Sequence, residues 1–201
     1  MIELEVLQAI RLKGRVSPDD LAATVGNDRA AIAATVARLT DSGLLVGEKT
    51  VRLSREGWAR LKELLAAERR AADGDAIDAA YHEFRRINRD FKALVTDWQL
   101  KDGEPNAHDD PDYDAAVLAR LDGIHQRAIP IIESAAGQIR RLSVYADKLA
   151  DAYAKVRQGE TAWLTRPIVD SYHTVWFELH EELIGAAGLT REGEAKAGHA
   201  E

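Results

Sequence analysis

Apolar residues recur at helical spacing from the start of the chain. Ile2, Val6, Leu7 and Ile10 predict a first helix that Gly14 closes near residue 13. Ser17-Pro18-Asp19-Asp20 then offers a Ser cap, a Pro in the first helical position and an acid three residues after the cap, so a second helix is expected from Pro18 to about Val25. Gly26-Asn27 interrupts it. A third helix is predicted from about Asp28 to Ser42, with Ile32, Val36 and Leu39 inward and Arg29, Ala30, Ala33, Ala34, Ala37 and Arg38 nearer the outside. The period changes after Gly43: Leu44-Leu45-Val46 and Thr50-Val51-Arg52-Leu53 are short β-prone runs around Gly47-Glu48-Lys49, a compact hairpin. Ser54 caps a fourth helix carrying Trp58, Leu61, Leu64 and Leu65 as its apolar positions.

Asp73-Gly74-Asp75 breaks the pattern, Gly74 ending one helix and Asp75 capping the next. Beyond it the spacing predicts four helices. Ile77, Phe84, Phe91 and Trp98 repeat every seven residues from about Asp75 to Leu100, and Val117, Leu121 and Ile124 mark a second helix started by Asp110-Pro111. Pro130 marks a new start or a kink. From there two heptad lines, Ile132-Ile139-Ala146-Tyr153 and Ala135-Leu142-Leu149-Val156, predict one long helix ending at Gly159. Thr165-Arg166-Pro167 opens the fourth, which would bury Ile168, Tyr172, Val175, Leu179 and Leu183 and close near Gly188. The heptad helix can serve as bundle core or as a dimer seam. The segment 101–110 reads as a solvated connector and 190–201 as a frayed tail.

The charge distribution sharpens this division. The whole chain carries −7, but residues 1–72 hold 12 Lys+Arg against 10 Asp+Glu and residues 73–201 hold 15 against 24. A slightly basic part thus precedes a strongly acidic one, which suggests different partners for the two. We expect a domain over 1–72, an all-helical domain over 75–189 and the tail over 190–201. The absence of cysteine excludes disulfides and thiolate chemistry. The first residues carry acid before any base, unlike a secretory leader, and no apolar run is long enough for a membrane span, so the expected location is cytoplasmic.

With these residues in place, LAATVGNDRAAIAATVARLTDSGLL and VRLSREGWARL resemble the helix-turn-helix and second wing strand of MarR-type and related bacterial winged-helix transcriptional regulators, over roughly residues 2 to 70. The resemblance implies a mainly α protein: an N-terminal winged helix of three helices plus a short hairpin wing, followed here by an all-α four-helix domain that matches no family by its residues. It further implies double-stranded DNA as partner, with the third helix in the major groove and a homodimer presenting two copies to a palindrome. The residues it points to are Asn27, Arg29, Thr35, Arg38, Lys49 and Arg52, the arginines for bidentate contacts with guanine or phosphate. The outward alanines and a wing turn of about three residues depart from the family pattern. They favour the alternative class, a protein-interaction adaptor that uses the winged helix as a docking module.

In the helical part, Tyr81, Phe84, Phe91, Trp98, Tyr172, His173 and Trp176 could wall an apolar effector pocket between helices, or simply form the core. A metal site is not expected. His173 and His180 are seven residues apart, about 10.5 Å along a helix axis, too far for one ion, and only one of them could join His82 or His125. No cofactor and no enzyme activity are expected either, since the chain has no Gly-rich phosphate loop, no G-x-S-x-G and no H-E-x-x-H.

Overall fold

The computed structural model describes residues 2–26 and 28–198. Among these the chain is mainly helical, with ten α-helices and two small antiparallel sheets of two strands each, and it folds as two compact units that divide after Ala72. None of the described helices is long and apolar enough to cross a membrane.

The first unit runs α1 (Ile2–Lys13), α2 (Pro18–Val25), α3 (Arg29–Asp41), β1 (Leu45–Val46), β2 (Arg52–Leu53) and α4 (Arg55–Ala71). Side-chain caps set three of the helix starts: Ser17 accepts from the Asp20 amide, Asp28 from Ala31 and Ser54 from Gly57. Leu7, Ile10, Leu21, Ile32, Leu39, Leu45 and Leu61 close a single core around which these elements pack. The hairpin pairs Leu45 with Leu53 and Val46 with Arg52. A feature the sequence pattern did not reveal adds to it: Val16, between α1 and α2, bridges Val51 through amide-to-carbonyl bonds of 3.2 and 2.9 Å, giving the hairpin a third edge of one residue. Trp58, expected on the inner stripe of α4, is instead 52% exposed. It lies three residues before Leu61 and just after Gly57, and both of those take the buried positions.

The second unit begins with α5 (Gly74–Gln99), capped by Asp73 rather than by Asp75. Segment 101–110 is more than a connector, because β3 (Leu100–Lys101) and β4 (Glu104–Pro105) pair across it. Then follow α6 (Pro111–Gln138), α7 (Val144–Arg157), the four-residue α8 (Ala162–Thr165), α9 (Tyr172–Ala186) and α10 (Arg191–Lys196).

Three boundaries differ from expectation. Pro130 lies inside α6 instead of starting a helix; it and Gln126, whose carbonyl it deprives of an amide, are both exposed, so water can satisfy the freed oxygen. The predicted heptad helix is broken at Ile139, which turns extended, and at a 3-10 turn over Arg140–Ser143 that brings Arg141 against buried Glu182. Both heptad lines therefore start on α6 and end on α7. Finally, α9 opens at Ser171 and not at Pro167, leaving Ile168 fully exposed where burial was expected. The segment expected to fray holds α10, anchored by buried Glu194.

Candidate nucleic-acid interface and candidate small-molecule groove

In the first unit the surface of interest is the outer face of α3. Its inward residues, Ile32, Val36 and Leu39, are buried, while Arg29, Ala30, Ala33, Ala34, Ala37 and Arg38 are exposed. Arg29 pairs with Asp19 of α2 at 3.6 Å, both side chains some three-quarters exposed. Such a pair is weak and readily exchanged for another anion. Arg38 is held differently, since its guanidinium reaches Glu3 of α1 at 3.3 Å, and the same carboxylate takes Arg60 of α4 at 2.8 Å. The hydrogen bond from Arg60, its charge and that of Arg38 together hold the Glu3 pKa below the usual carboxylate range.

Thr35 spends its hydroxyl on the Ala31 carbonyl at 2.8 Å, so only its methyl and remaining lone pairs face outward. Lys49 and Arg52 are exposed on and beside the hairpin turn, with Glu48 next to Lys49. Asn27 lies outside the described residues. The amide end of α3 is occupied by the Asp28 carboxylate, 3.1 Å from the Ala31 nitrogen, which places an acid where a phosphate would otherwise sit.

In the second unit a cavity of about 240 Å³ lies between α5 and α9. Its walls are residues 88, 91, 92, 95, 96 and 99 of α5 and 173, 176, 177 and 180 of α9, with Arg191 from the start of α10. The spacing explains the groove, because residues three and four apart share a helix face. Of the seven side chains expected to wall a pocket, Phe91, His173 and Trp176 do so. The other four belong to the packing around it: Phe84 stacks on Trp176 at 4.9 Å, Tyr172 packs against Phe91 at 5.4 Å, Trp98 sits under His108 at 4.4 Å, and Tyr81 donates to Glu194 at 2.6 Å. Sequence reasoning missed Asn88, Lys92 and Arg191. Asn88 and Lys92 occupy positions i−3 and i+1 from Phe91 on the same helix, a signal present in the spacing; Arg191 lay in a segment assigned to the tail.

The groove residues are well fixed. Trp176 donates its indole N–H to the Asn88 side-chain oxygen Oδ1 at 2.9 Å. Arg191 is oriented by Glu181 at 2.7 Å and lies over the Phe177 ring, 4.5 Å from its centroid. His180 is buried and its pKa is lowered to about 4, first by desolvation and then by the charge of Arg191, with Lys92 acting in the same direction and Glu181 and Glu194 opposing. Since Tyr81 gives its proton to Glu194, it can only accept at the 3.4 Å contact with His180 Nε2, which assigns the proton of the neutral ring to Nε2. Burial also lowers the pKa of His173, whose ring lies against Phe91, and of His125, which stacks on Tyr153 at 4.3 Å. Burial raises the pKa values of the hydroxyls of Tyr81 and Tyr172.

Behind α9 a second polar cluster is buried. Arg141 pairs with Glu182 at 2.6 Å, the Tyr145 hydroxyl donates to Glu182 at 3.3 Å, and Lys148 lies 3.2 Å from Asp170 and 3.9 Å from Glu178. Each of its three carboxylates lies within ion-pair distance of Arg141 or Lys148, the geometry of a structural network. Among the described residues no three His, Asp or Glu side chains converge as a metal ion would need; His82 is exposed and His125 is taken up by Tyr153 and Tyr172. No family model, curated protein or solved structure matches the chain.

Proposed function

We propose that the protein is a DNA-binding transcriptional regulator of the winged-helix type, acting as a homodimer, whose helical unit dimerises and senses a small molecule. The observation that carries this reading is the bridge between Val16 and Val51. It supplies the single-residue first strand of a winged helix, in the order helix, strand, helix, helix, strand, wing, strand, helix. In that arrangement α3 is the helix presented to the major groove. Arg29, at its exposed first turn, reads a base edge or grips phosphate, while Lys49 and Arg52 bring the hairpin to the backbone. A net charge near +2 on residues 1–72 neutralises few phosphates. Two copies on a palindrome double that number, which is the physical reason to expect a dimer.

The test is binding of the full chain to random duplex DNA as a function of salt. Affinity should fall steeply with salt, and Arg29→Ala and the pair Lys49→Ala with Arg52→Ala should each weaken binding and flatten the slope. Absence of binding at low salt, or indifference to these changes, overturns the reading.

One observation favours a second reading, a protein-docking adaptor. Ala30, Ala33, Ala34 and Ala37 form a smooth exposed strip on α3, which suits close packing against another protein better than reading of bases. On that reading Ala33→Asp abolishes partner capture while leaving DNA irrelevant.

A further inference from the structure

The second unit holds 24 Asp and Glu residues against 15 Lys and Arg. None of the 24 lines the groove between α5 and α9, whereas Lys92, Arg191, His173 and His180 all do. The other walls are apolar or neutral: Phe91, Val95, Trp176 and Phe177, then Asn88, Thr96 and Gln99. Lys92 and Arg191 place two basic groups in a largely aromatic cleft of a unit whose net charge is acidic, which makes the cleft a selective feature for an anion.

We propose that this groove binds a small organic monoanion, a carboxylate with an apolar ring or branched chain. The apolar part sits between Phe91, Val95 and Trp176, and the carboxylate lies toward Lys92 and Arg191. The proposal rests on the sensing half of the function proposed above and adds the chemistry of what is sensed.

Three observations select this class. The volume of about 240 Å³ lies below the roughly 300–1,000 Å³ usual for drug-sized ligands, so the occupant is compact, about one ring. The Arg191 guanidinium has five N–H donors in a planar fork; Glu181 and the face of Phe177 fix its plane, which pre-orients it for a carboxylate. Glu181, 2.7 Å from that guanidinium, already balances one of the two basic groups, which suits the groove to a monoanion rather than a dianion. Burial, with the charge of Arg191 second, lowers the His180 pKa. His180, neutral there, adds dipole and shape without a further charge.

The experiment is calorimetric titration of the full chain, without DNA, using benzoate as probe, benzamide as its neutral isostere and inorganic phosphate as an anion lacking the apolar part. Benzoate should saturate one site per chain, with benzamide and phosphate at least about tenfold weaker, the scale of one lost charge-assisted hydrogen bond. Lys92→Gln and Arg191→Gln should each weaken benzoate by a similar factor, and Val95→Trp, which fills the groove, should abolish binding. Lys62→Gln, on exposed α4 of the first unit, should leave it unchanged. Thermal melting of each variant identifies any that fail to fold, and Lys92→Gln, which changes one partly buried surface side chain, keeps the test decisive if Arg191→Gln unsettles α10. Absence of saturable benzoate binding, equal binding of benzamide, or full affinity in Lys92→Gln overturns the proposal. None of these results involves DNA, so loss of the ligand site leaves the DNA-binding reading standing, and the reverse also holds.

Discussion

A β-carbon added to Gly57 would lie 2.1 Å from the Leu44 carbonyl oxygen. The first turn of α4 packs directly onto the backbone that leads into β1, and Ser54 stitches the same place. Its amide donates to Leu44 O at 3.0 Å, its hydroxyl donates to Gly43 O at 2.7 Å, and its oxygen accepts from the Gly57 amide at 2.9 Å. The Leu-Ser-x-x-Gly run at 53–57 is therefore a close-approach device that fixes the hairpin to α4. We expect Gly57→Ala to destabilise the first unit by about 3 kcal/mol, the upper end for overpacking, because the obstruction is backbone and cannot rotate away. Hydrogen exchange of α1 and α3 amides should accelerate accordingly while amides of α5 and α9 stay protected. Unchanged exchange in α1 and α3 would refute the close approach.

Glu3 sits between two guanidiniums and, on the regulator reading, opposes DNA binding while helping the fold. Glu3→Gln should release Arg38 and Arg60 and remove a negative charge beside α3. On the regulator reading, binding to random duplex then tightens and the salt slope steepens by up to about one ion. Stability should fall only slightly, since both arginine side chains are largely solvated. The sign with pH follows from the depressed carboxyl. Its contribution is present above the ordinary value near 4.5 and is lost as pH falls through the lower folded value, so wild type and Glu3→Gln should converge in acid. Weaker DNA binding in Glu3→Gln would mean that Arg38 needs its acid partner to be placed.

His180 gives the second unit a pH dependence of its own. The unfolded ring takes up a proton near pH 6.5 and the folded ring only near 4, so the unfolded state binds more protons between these values. Stability is full above about pH 6.5 and falls as pH drops toward 4, by roughly 3 kcal/mol from this one residue. His125 and His173, also lowered by burial, add to the same slope. Urea unfolding at pH 7, 6 and 5 should show His180→Gln losing about one proton's worth of the slope. An unaltered slope in that variant would place the titration elsewhere.

What the sequence disclosed and what it concealed follow from the range of the interactions. Caps and turn residues act over three or four positions, and Ser17 and Ser54 cap where the local pattern puts them. The Val16 bridge is a single residue whose partner is 35 positions away, so no period announces it. The heptad lines from Ile132 to Val156 are continuous in sequence because both α6 and α7 face one core, and periodicity cannot register the turn between them. For the groove, Phe91 on the α5 stripe and His173 and Trp176 on α9 were legible from the helical spacing. Arg191 depends on α10 folding back near α9, held by the Glu194 contact with Tyr81 across 113 residues. Ile168 was misjudged for the simplest reason, an apolar residue assumed to be inside.

The buried pair Arg141 and Glu182 offers a test that separates a structural network from a ligand site. Their side chains are 9% and 4% exposed and 2.6 Å apart, with Tyr145 also on the carboxylate. Arg141→Met leaves Glu182 buried without that guanidinium, which typically costs about 3–5 kcal/mol. The double change Arg141→Met with Glu182→Leu removes both charges at similar volume and should recover most of the loss, since a desolvated pair contributes little beyond an apolar replacement. Benzoate affinity of the double variant should match wild type, because neither residue lines the α5–α9 groove. If the double variant stays as unstable as Arg141→Met, the network contributes through the neighbouring Lys148, Glu178 and Tyr145 as one coupled unit. If it folds but no longer binds benzoate, the two polar regions on either side of α9 are linked through that helix.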